Sequence, residues 1–225
     1  MPENKKCKII CFGDSITEGF GLGDKENYPC QLQRALGDKY KVFNAGVTAH
    51  CVSDEMLDDG RVMGLPYART DQYARGLAEK GDIYVLLLGT NDAQDGMLDD
   101  GSAIDPWSNI FSRRENFIMH YERILADIRR ANPDAKIYIG RPTPILKCIW
   151  PKHQQRYLYV ILEKLDEVIK RNPDIAVIDF YGEFRKKGEE WLHRNYQADG
   201  LHPGAGGAEL ISQMVYRAIS NDFNI

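Results

Sequence analysis

Five short apolar runs, most of them followed by a stretch with helical spacing, constrain the fold of this chain more than any other feature. The runs are rich in β-branched residues and end in small or polar ones, as strands do; they cover residues 8–12, 40–44, 83–88, 136–139 and 175–180. Three intervening stretches carry apolar residues every three to four positions, as helices that cover a sheet do; they are residues 32–36, 117–130 and 157–169. This alternation predicts an α/β protein.

The third run indicates how the sheet is built. Residues 84–88 are apolar without a break, which is typical of a parallel strand buried on both faces. We therefore predict a three-layer α/β/α sandwich with a five-stranded parallel sheet. The 225 residues fit one domain over residues 1–225. Residues 96–113 are less periodic and are predicted to form a long loop where the strands end, either as a lid over a pocket or as a dimer contact.

Composition and charge exclude several classes of protein. The 29 Lys and Arg and the 33 Asp and Glu are scattered along the chain, which argues against nucleic acid as a partner. No window approaches the roughly 20 apolar residues of a membrane helix, so no membrane insertion is expected. The five cysteines contain no CxxC pair, which argues against a disulfide framework and a zinc site and favours a reduced, cytoplasmic setting. The sequence leaves a homo-oligomer open.

Four polar motifs stand at predicted strand ends or turns. They are Gly13-Asp14-Ser15, Asn44-Ala45-Gly46, Gly89-Thr90-Asn91-Asp92 and Asp199-Gly200-Leu201-His202. The first three follow three different strands of the predicted sheet. Because the carboxyl ends of neighbouring parallel strands lie at one edge of a sheet, we expect these motifs to converge.

These motifs contain the side chains that acyl transfer needs. A serine hydroxyl such as that of Ser15 is a weak nucleophile unless a base takes its proton, and His202 is the best-placed histidine. Asp199 precedes His202 by three residues, so its carboxylate could hold one imidazole nitrogen. The backbone N–H groups of Ser15 and Gly46 and the side-chain amide of Asn91 are candidate donors to the oxyanion. This chemistry uses no metal and no cofactor.

The chain resembles the SGNH hydrolases, also called GDSL-type esterases, in all four motifs. By resemblance, Ser15 is the nucleophile and a donor, Gly46 and Asn91 complete the oxyanion hole, and Asp199 with His202 completes the catalytic triad. The resemblance also implies a sheet order of 2-1-3-4-5. The motifs span residues 13–202, which is nearly the whole chain.

A finer resemblance concerns the substrate. The stretch from Gly89-Thr90-Asn91-Asp92 through residues 136–144, which ends in Pro142-Thr143-Pro144, looks like the branch of the family that contains sialate and other carbohydrate O-acetylesterases. One departure is that many relatives have Gly-x-Ser-Gly after the second strand, whereas this chain reads Gly46-Val47-Thr48-Ala49-His50. We expect a serine esterase for short acyl groups, acetyl above all, and its small-molecule substrate to be an acetylated sugar.

Other interpretations stay open at this point. The same catalytic core serves lysophospholipases and acyl-thioesterases, which chain-length preference would distinguish. A non-catalytic ligand-binding module of flavodoxin-like topology would use Ser15 only to bind an anion. Asp14 is expected to form hydrogen bonds within its loop. Each tryptophan, namely Trp107, Trp150 and Trp191, is a candidate either for stacking on a sugar ring or for ordinary packing.

Overall fold

A central parallel sheet organises the protein. The computed structural model describes residues 6–56, 62–63, 65–94, 106–150 and 153–223. Within them the sheet has five strands: β1 (Cys7–Gly13), β2 (Tyr40–Gly46), β3 (Ile83–Leu87), β4 (Lys136–Gly140) and β5 (Ala176–Ile178). All neighbouring strands are parallel, and the order across the sheet is 2-1-3-4-5. The predicted α/β architecture and the strand order are confirmed.

Eight α-helices are present among the described residues. They are α1 (Ser15–Glu18), α2 (Tyr28–Leu36), α3 (Asp71–Ala78), α4 (Pro106–Ala131), α5 (Gln155–Arg171), α6 (Phe180–Lys186), α7 (Glu189–Asn195) and α8 (Ala205–Phe223). Helices α3, α4 and α5 contribute to one hydrophobic cluster, and α2, α6, α7 and α8 contribute to the other. The sheet lies between the two clusters, which makes three layers.

The buried strands owe their continuous apolarity to this sandwich. In β3, Tyr84 and Leu86 belong to one cluster, while Ile83, Val85 and Leu87 belong to the other. Successive side chains of a strand point to opposite faces, so a strand with a helical layer on each side has no polar position. The apolar run therefore predicted burial on both faces correctly.

The segment before α4 differs from its prediction. Residues 96–113 were expected to be a loop, but α4 begins at Pro106, so residues 106–113 are helical and the prediction is wrong there. Proline fits the first turn of a helix because the N–H it lacks would have no intrahelical acceptor in that position. Residues 96–105 lie outside the described residues, as does the choice between a lid and a dimer contact.

Two short strand pairings between β2 and α3 form small sheets that are separate from the central one. His50–Cys51 pairs in parallel with Leu65–Pro66, and Glu55–Met56 pairs antiparallel with Val62–Met63. The first pair begins three residues beyond β2. It therefore fixes the backbone just beyond the carboxyl end of β2, where the site lies.

Candidate active site

Ser15 lies at a sharp turn between β1 and α1. The preceding residue, Asp14, caps the helix because its Oδ1 accepts the N–H of Ile16 at 2.9 Å. The helix lasts only one turn and ends at Gly19, where φ is +96° and the N–H donates to the carbonyl of Ser15 at 2.9 Å. The Ser15 side chain is buried, with 3% of its surface exposed. A short, capped helix therefore fixes its position.

The structure brings Ser15, His202 and Asp199 into one hydrogen-bonded chain. The distance from Ser15 Oγ to His202 Nε2 is 2.8 Å, and that from His202 Nδ1 to Asp199 Oδ2 is also 2.8 Å. With the ring proton on Nδ1, His202 donates to the carboxylate and accepts the hydroxyl proton of Ser15. This is the arrangement in which a histidine acts as the base toward a serine.

Hydrogen bonds keep Asp199 in its charged form. Burial alone would raise the pKa of Asp199. The hydrogen bonds from the backbone N–H and the ring of His202 and from the N–H of Leu201 together outweigh this effect, so the pKa lies below its ordinary value. The two N–H groups donate to Oδ1 at 2.9 Å and 2.8 Å, and the ring is bound to Oδ2. The carboxylate is therefore available to orient His202 and to stabilise its protonated form.

The loop that follows β4 holds the segment from Asp199 to His202 in place. Leu146 N–H donates to the carbonyl of Gly200 at 2.8 Å, and Ile149 N–H donates to that of Asp199 at 2.9 Å. Gly200 has φ of +72°, and a Cβ atom there would lie 2.4 Å from the carbonyl oxygen of Lys147. The close approach of these two backbones therefore requires glycine at position 200.

Asn91 follows β3, and its side chain is oriented by one hydrogen bond. Its Nδ2 donates to the carbonyl of His50 at 3.1 Å, and the Gln94 side chain donates to its backbone carbonyl. An amide nitrogen carries two hydrogens, so one remains to donate to a substrate oxygen. Asn91 is buried at the same edge of the sheet as Ser15.

Gly46 lies at the end of β2, but its N–H is already engaged. It donates to Oδ1 of Asn44 at 2.9 Å, so a substrate oxyanion would have to compete with this acceptor for the predicted donor of Gly46. A Cβ atom at Gly46 would lie 2.1 Å from the backbone nitrogen of Glu18. Glycine is needed here because β2 passes close to the helix that carries Ser15.

Ala49 offers a backbone donor that the sequence interpretation missed. It has φ of +64°, a left-handed conformation that is uncommon for a residue with a side chain. Glu18 Oε2 accepts the N–H of Thr48 at 2.6 Å and also its hydroxyl, while His50 accepts from Asn91. Among the described residues, no acceptor for the Ala49 N–H is found. The signal in the sequence was the departure from Gly-x-Ser-Gly, since Ala49 replaces the second glycine.

Asp14 is the second buried carboxyl group beside the nucleophile. Burial raises its pKa to about 7, although the N–H of Ile16 and the side chain of Thr90 act to lower it. Its Oδ1 caps α1, as expected of a residue that forms hydrogen bonds within its loop. Asp14 therefore supports the turn that presents Ser15.

Two aromatic rings flank His202. The ring centroid of Phe20 is 4.7 Å from that of His202, with 36° between the ring planes, and the centroid of Trp150 is 5.7 Å away at 87°. Trp191 instead packs on Phe184 at 5.5 Å. The side chain of Trp107 lies outside the described residues. Trp150 and Phe20 thus both lie beside His202.

Metal and membrane features are absent from the part of the chain that the structure describes. Its His, Cys, Asp and Glu side chains include no group of three that could hold a metal ion. None of its helices combines the length and the apolarity needed to cross a bilayer.

Comparison with known proteins gives the family of the chain. Residues 11–210, which include all four motifs, match the model of the GDSL-like lipase/acylhydrolase family. The chain belongs to this family. The resemblance seen in the sequence is therefore confirmed.

Relatives of this GDSL-like chain include enzymes named for carbohydrate esters. An acetylxylan esterase of Xylanibacter ruminicola is 30% identical over 224 residues; the match covers 97% of this chain but only 44% of that protein's length. The solved acetyl xylan esterase AlAXEase has a TM-score of 0.67 at 20% identity, covering 94% of this chain and 99% of that one. The lipase/acylhydrolase of Enterococcus faecalis has a TM-score of 0.65 at 23% identity, covering 96% of each chain.

Proposed function

We propose that this chain, as one SGNH hydrolase domain over residues 1–225, is a serine esterase that removes short acyl groups, chiefly O-acetyl, from a carbohydrate. The observation that carries the proposal is the continuous chain from Ser15 Oγ through His202 to Asp199, with 2.8 Å at each of its two links. An anion-binding module would not need a base within hydrogen-bond distance of the serine. The arrangement therefore favours catalysis over simple binding.

In the acylation half of the reaction, His202 Nε2 takes the proton of Ser15 Oγ as the oxygen attacks the ester carbonyl carbon. The negative charge that forms on the carbonyl oxygen is held by neutral donors: the N–H of Ser15, the Nδ2 of Asn91 and, in place of Gly46, the N–H of Ala49. The bond from carbon to the alcohol oxygen then breaks. His202 gives the proton to that oxygen, which leaves an acyl group on Ser15.

In the deacylation half, a water molecule takes the place of the alcohol. Its proton passes to His202 Nε2 while its oxygen attacks the acyl carbon. The bond to Ser15 Oγ breaks, and His202 returns the proton to that oxygen. The carboxylate of Asp199 stabilises protonated His202 in both halves.

The names of relatives support the choice of an acetylated sugar as substrate. Both an acetylxylan esterase with 30% identity and a solved acetyl xylan esterase with a similar fold are among them. Lysophospholipase and acyl-thioesterase activities remain the alternatives for the same catalytic groups. Acyl chain length separates these activities.

The decisive experiment compares wild type and Ser15→Ala on 4-nitrophenyl acetate, butyrate and octanoate, with acetate release from acetylated xylo-oligosaccharides. We expect rates that fall with chain length in the wild type and a loss of more than about 1000-fold in the variant. Ser212→Ala, which changes a buried serine in α8, is the matched control and should leave the rates unchanged.

Any of three results would overturn the proposal or its choice of substrate. Equal rates in wild type and Ser15→Ala would remove Ser15 from the mechanism, and so would a fluorophosphonate that fails to label Ser15 in folded protein. A preference for octanoate without acetate release from the sugars would transfer the assignment to lipid or thioester substrates.

We also propose that the protein works in a reducing, cytoplasmic compartment. The five cysteines, which all lie in the described residues, are not joined by disulfide bonds, and Cys11 and Cys51 are buried. Free thiols persist where thiol reductants are present. Fractionation of the source cells tests this, because recovery of the protein outside the cytoplasm would contradict it.

A further inference from the structure

The position of the leaving alcohol follows from the role of His202. In the proposed mechanism, Nε2 of His202 takes the proton of Ser15 Oγ, 2.8 Å away, and then gives it to the alcohol oxygen. The alcohol must therefore lie beside the edge of the imidazole ring that carries Nε2. Side chains that pack against this small ring are therefore the first candidates to contact the alcohol.

Phe20 and Trp150 are the aromatic side chains in that position. Phe20 packs against His202 with 4.7 Å between ring centroids, yet 43% of its surface is exposed. Trp150 approaches the same imidazole edge-on and is partly buried. The neighbouring Ile149 is 64% exposed. Large apolar side chains that stay exposed next to catalytic groups are typical of a binding surface.

Both rings are fastened to the segment that carries the catalytic pair. The side chain of Gln197 donates to the carbonyl of Phe20 at 2.7 Å, and the N–H of Gln197 donates to the carbonyl of His202 at 2.8 Å. On the other side, Ile149 N–H is bound to the carbonyl of Asp199. Because the rings and the base share one support, they form a preorganised surface.

We propose that Phe20 and Trp150 form the subsite for the leaving alcohol, and that this subsite takes the ring of a pyranoside. The face of an aromatic ring is electrically negative, so it attracts the weakly positive C–H groups on the apolar face of a pyranose. The half-exposed Phe20 leaves the sugar hydroxyls in contact with water, whereas an alkyl chain would gain more from an enclosed groove. The inference rests on the proposed function and names the alcohol part of its substrate.

An electrostatic role for Phe20 makes a different prediction. A phenyl ring within about 6 Å of a cation also stabilises that cation, and protonated His202 forms during the cleavage of every ester. Loss of that effect would slow all acetyl esters alike. Loss of a sugar subsite would slow sugar esters selectively, so two esters that share the acetyl group separate the two roles.

The experiment measures kcat/KM for a mono-O-acetylated methyl xyloside and for ethyl acetate. For Phe20→Ala, Phe20→Leu and Trp150→Ala we expect the ratio of the first to the second to fall about tenfold, which corresponds to about 1.4 kcal/mol. Phe20→Tyr keeps the aromatic face and should keep the ratio. Phe223→Ala removes a phenyl ring with the same 43% exposure at the end of α8 and is the matched control.

Acetyl transfer tests the same subsite from the opposite direction. With vinyl acetate as donor, methyl xyloside competes with water for the acetyl group on Ser15. The acceptor oxygen forms a bond to the acetyl carbon, the bond to Ser15 Oγ breaks, and the acceptor proton passes through His202 to Ser15. We expect Phe20→Ala to lower transfer to methyl xyloside, relative to hydrolysis, more than it lowers transfer to ethanol.

The outcomes are distinguishable. An equal loss on ethyl acetate and on the xyloside ester would overturn the subsite, and an equal loss on octyl acetate and on the xyloside ester would overturn its assignment to a sugar ring. If Phe20→Ala does not fold, Phe20→Leu and Phe20→Tyr carry the same comparison. The proposed function itself fails if wild type cleaves neither ester or if Ser15→Ala cleaves them equally well.

Discussion

Asp14, which precedes Ser15, and Asp199, which is hydrogen-bonded to His202, are both buried carboxyl groups, but their pKa values move in opposite directions. Burial raises the pKa of Asp14 to about 7, whereas the pKa of Asp199 is lowered although burial acts to raise it. Asp199 accepts three hydrogen bonds, and Asp14 accepts that of Ile16 at its Oδ1. The deeper burial of Asp14 and the stronger set of donors to Asp199 together separate the two pKa values.

The difference in pKa implies different roles for Asp14 and Asp199. The charged Asp199 can stabilise a positive charge on His202, while Asp14 is largely protonated below pH 7. Asp14 Oδ2 and Thr90 Oγ1 are both fully buried, and neither has a hydrogen bond of normal geometry among the described residues. A proton on Oδ2 would let Asp14 donate to this hydroxyl. Below pH 7, Asp14 is thus a largely neutral cap, whereas Asp199 is a charged support.

Replacing each aspartate by asparagine should give the largest difference in activity between the two positions. Asp199→Asn should lower kcat on 4-nitrophenyl acetate by about 10³- to 10⁴-fold, because an amide no longer holds His202 in the tautomer that accepts the Ser15 proton. Asp14→Asn, its matched partner, should change kcat by less than about tenfold. Comparable losses in both variants would break the distinction between the charged and the neutral carboxyl group.

The second prediction concerns the uncharged side-chain amide of Asn91, which is proposed to stabilise the oxyanion. Asn91→Ala should lower kcat by about 100- to 1000-fold with little change in KM, since this amide donates to an oxygen that becomes negative only during the reaction. Steady-state kinetics on 4-nitrophenyl acetate, with circular dichroism to verify folding, measure the effect. A rise in KM at constant kcat would indicate that Asn91 binds the ground state instead.

The pH dependence of protein stability should reveal the raised pKa of Asp14. Its folded pKa of about 7 lies above the ordinary value of 3.8, so its contribution is fully present below pH 3.8 and is lost as the pH rises through 7. Because each pKa unit corresponds to about 1.4 kcal/mol, wild type should lose a few kcal/mol of unfolding free energy between pH 4 and pH 8. Urea titrations of wild type and Asp14→Asn measure this.

The Asp14→Asn variant should lack the part of the loss of unfolding free energy between pH 4 and pH 8 that comes from Asp14. The amide keeps the Oδ1 acceptor for Ile16 and offers N–H groups to Thr90, so the fold should be preserved. Parallel curves of unfolding free energy against pH for the two proteins would show that Asp14 is ionised at neutral pH.

Asp199 should have the smallest effect, and its contribution to the unfolding free energy should depend on pH in the opposite direction from that of Asp14. Its folded pKa lies below 3.8, so its contribution to stability is present above that pH and is lost as the pH falls through the folded pKa. Wild type should therefore lose more unfolding free energy between pH 4 and pH 2 than Asp199→Asn does. Urea titrations in that range measure the difference, and a steeper loss in the variant would reverse the assigned direction.

The sequence predicted those parts of the site that depend on local pattern. Apolar runs located the strands, and the parallel sheet placed Ser15 and Asn91 at one edge. The spacing of Asp199 and His202 indicated their pairing before the 2.8 Å contact was known. These features are predictable because strand ends and three-residue turns are determined by neighbouring residues.

Other parts depend on contacts that the sequence does not encode locally. The N–H of Gly46 is engaged by Asn44, and the unengaged N–H of Ala49 follows from a backbone angle held by Glu18 through Thr48. Phe20 reaches His202 only through a fold that joins distant segments. The pKa of Asp14 depends on how deeply the finished fold buries it.

The hydrogen bond between Ser15 and His202 joins residues that are 187 positions apart in the chain. Contacts of such large sequence separation carry a high loop-closure cost and tend to form late. The first strand and the last helix must both be docked before the serine meets its base. Esterase activity regained during refolding would consequently report completion of the whole fold, and no fragment lacking either end of the chain should show it.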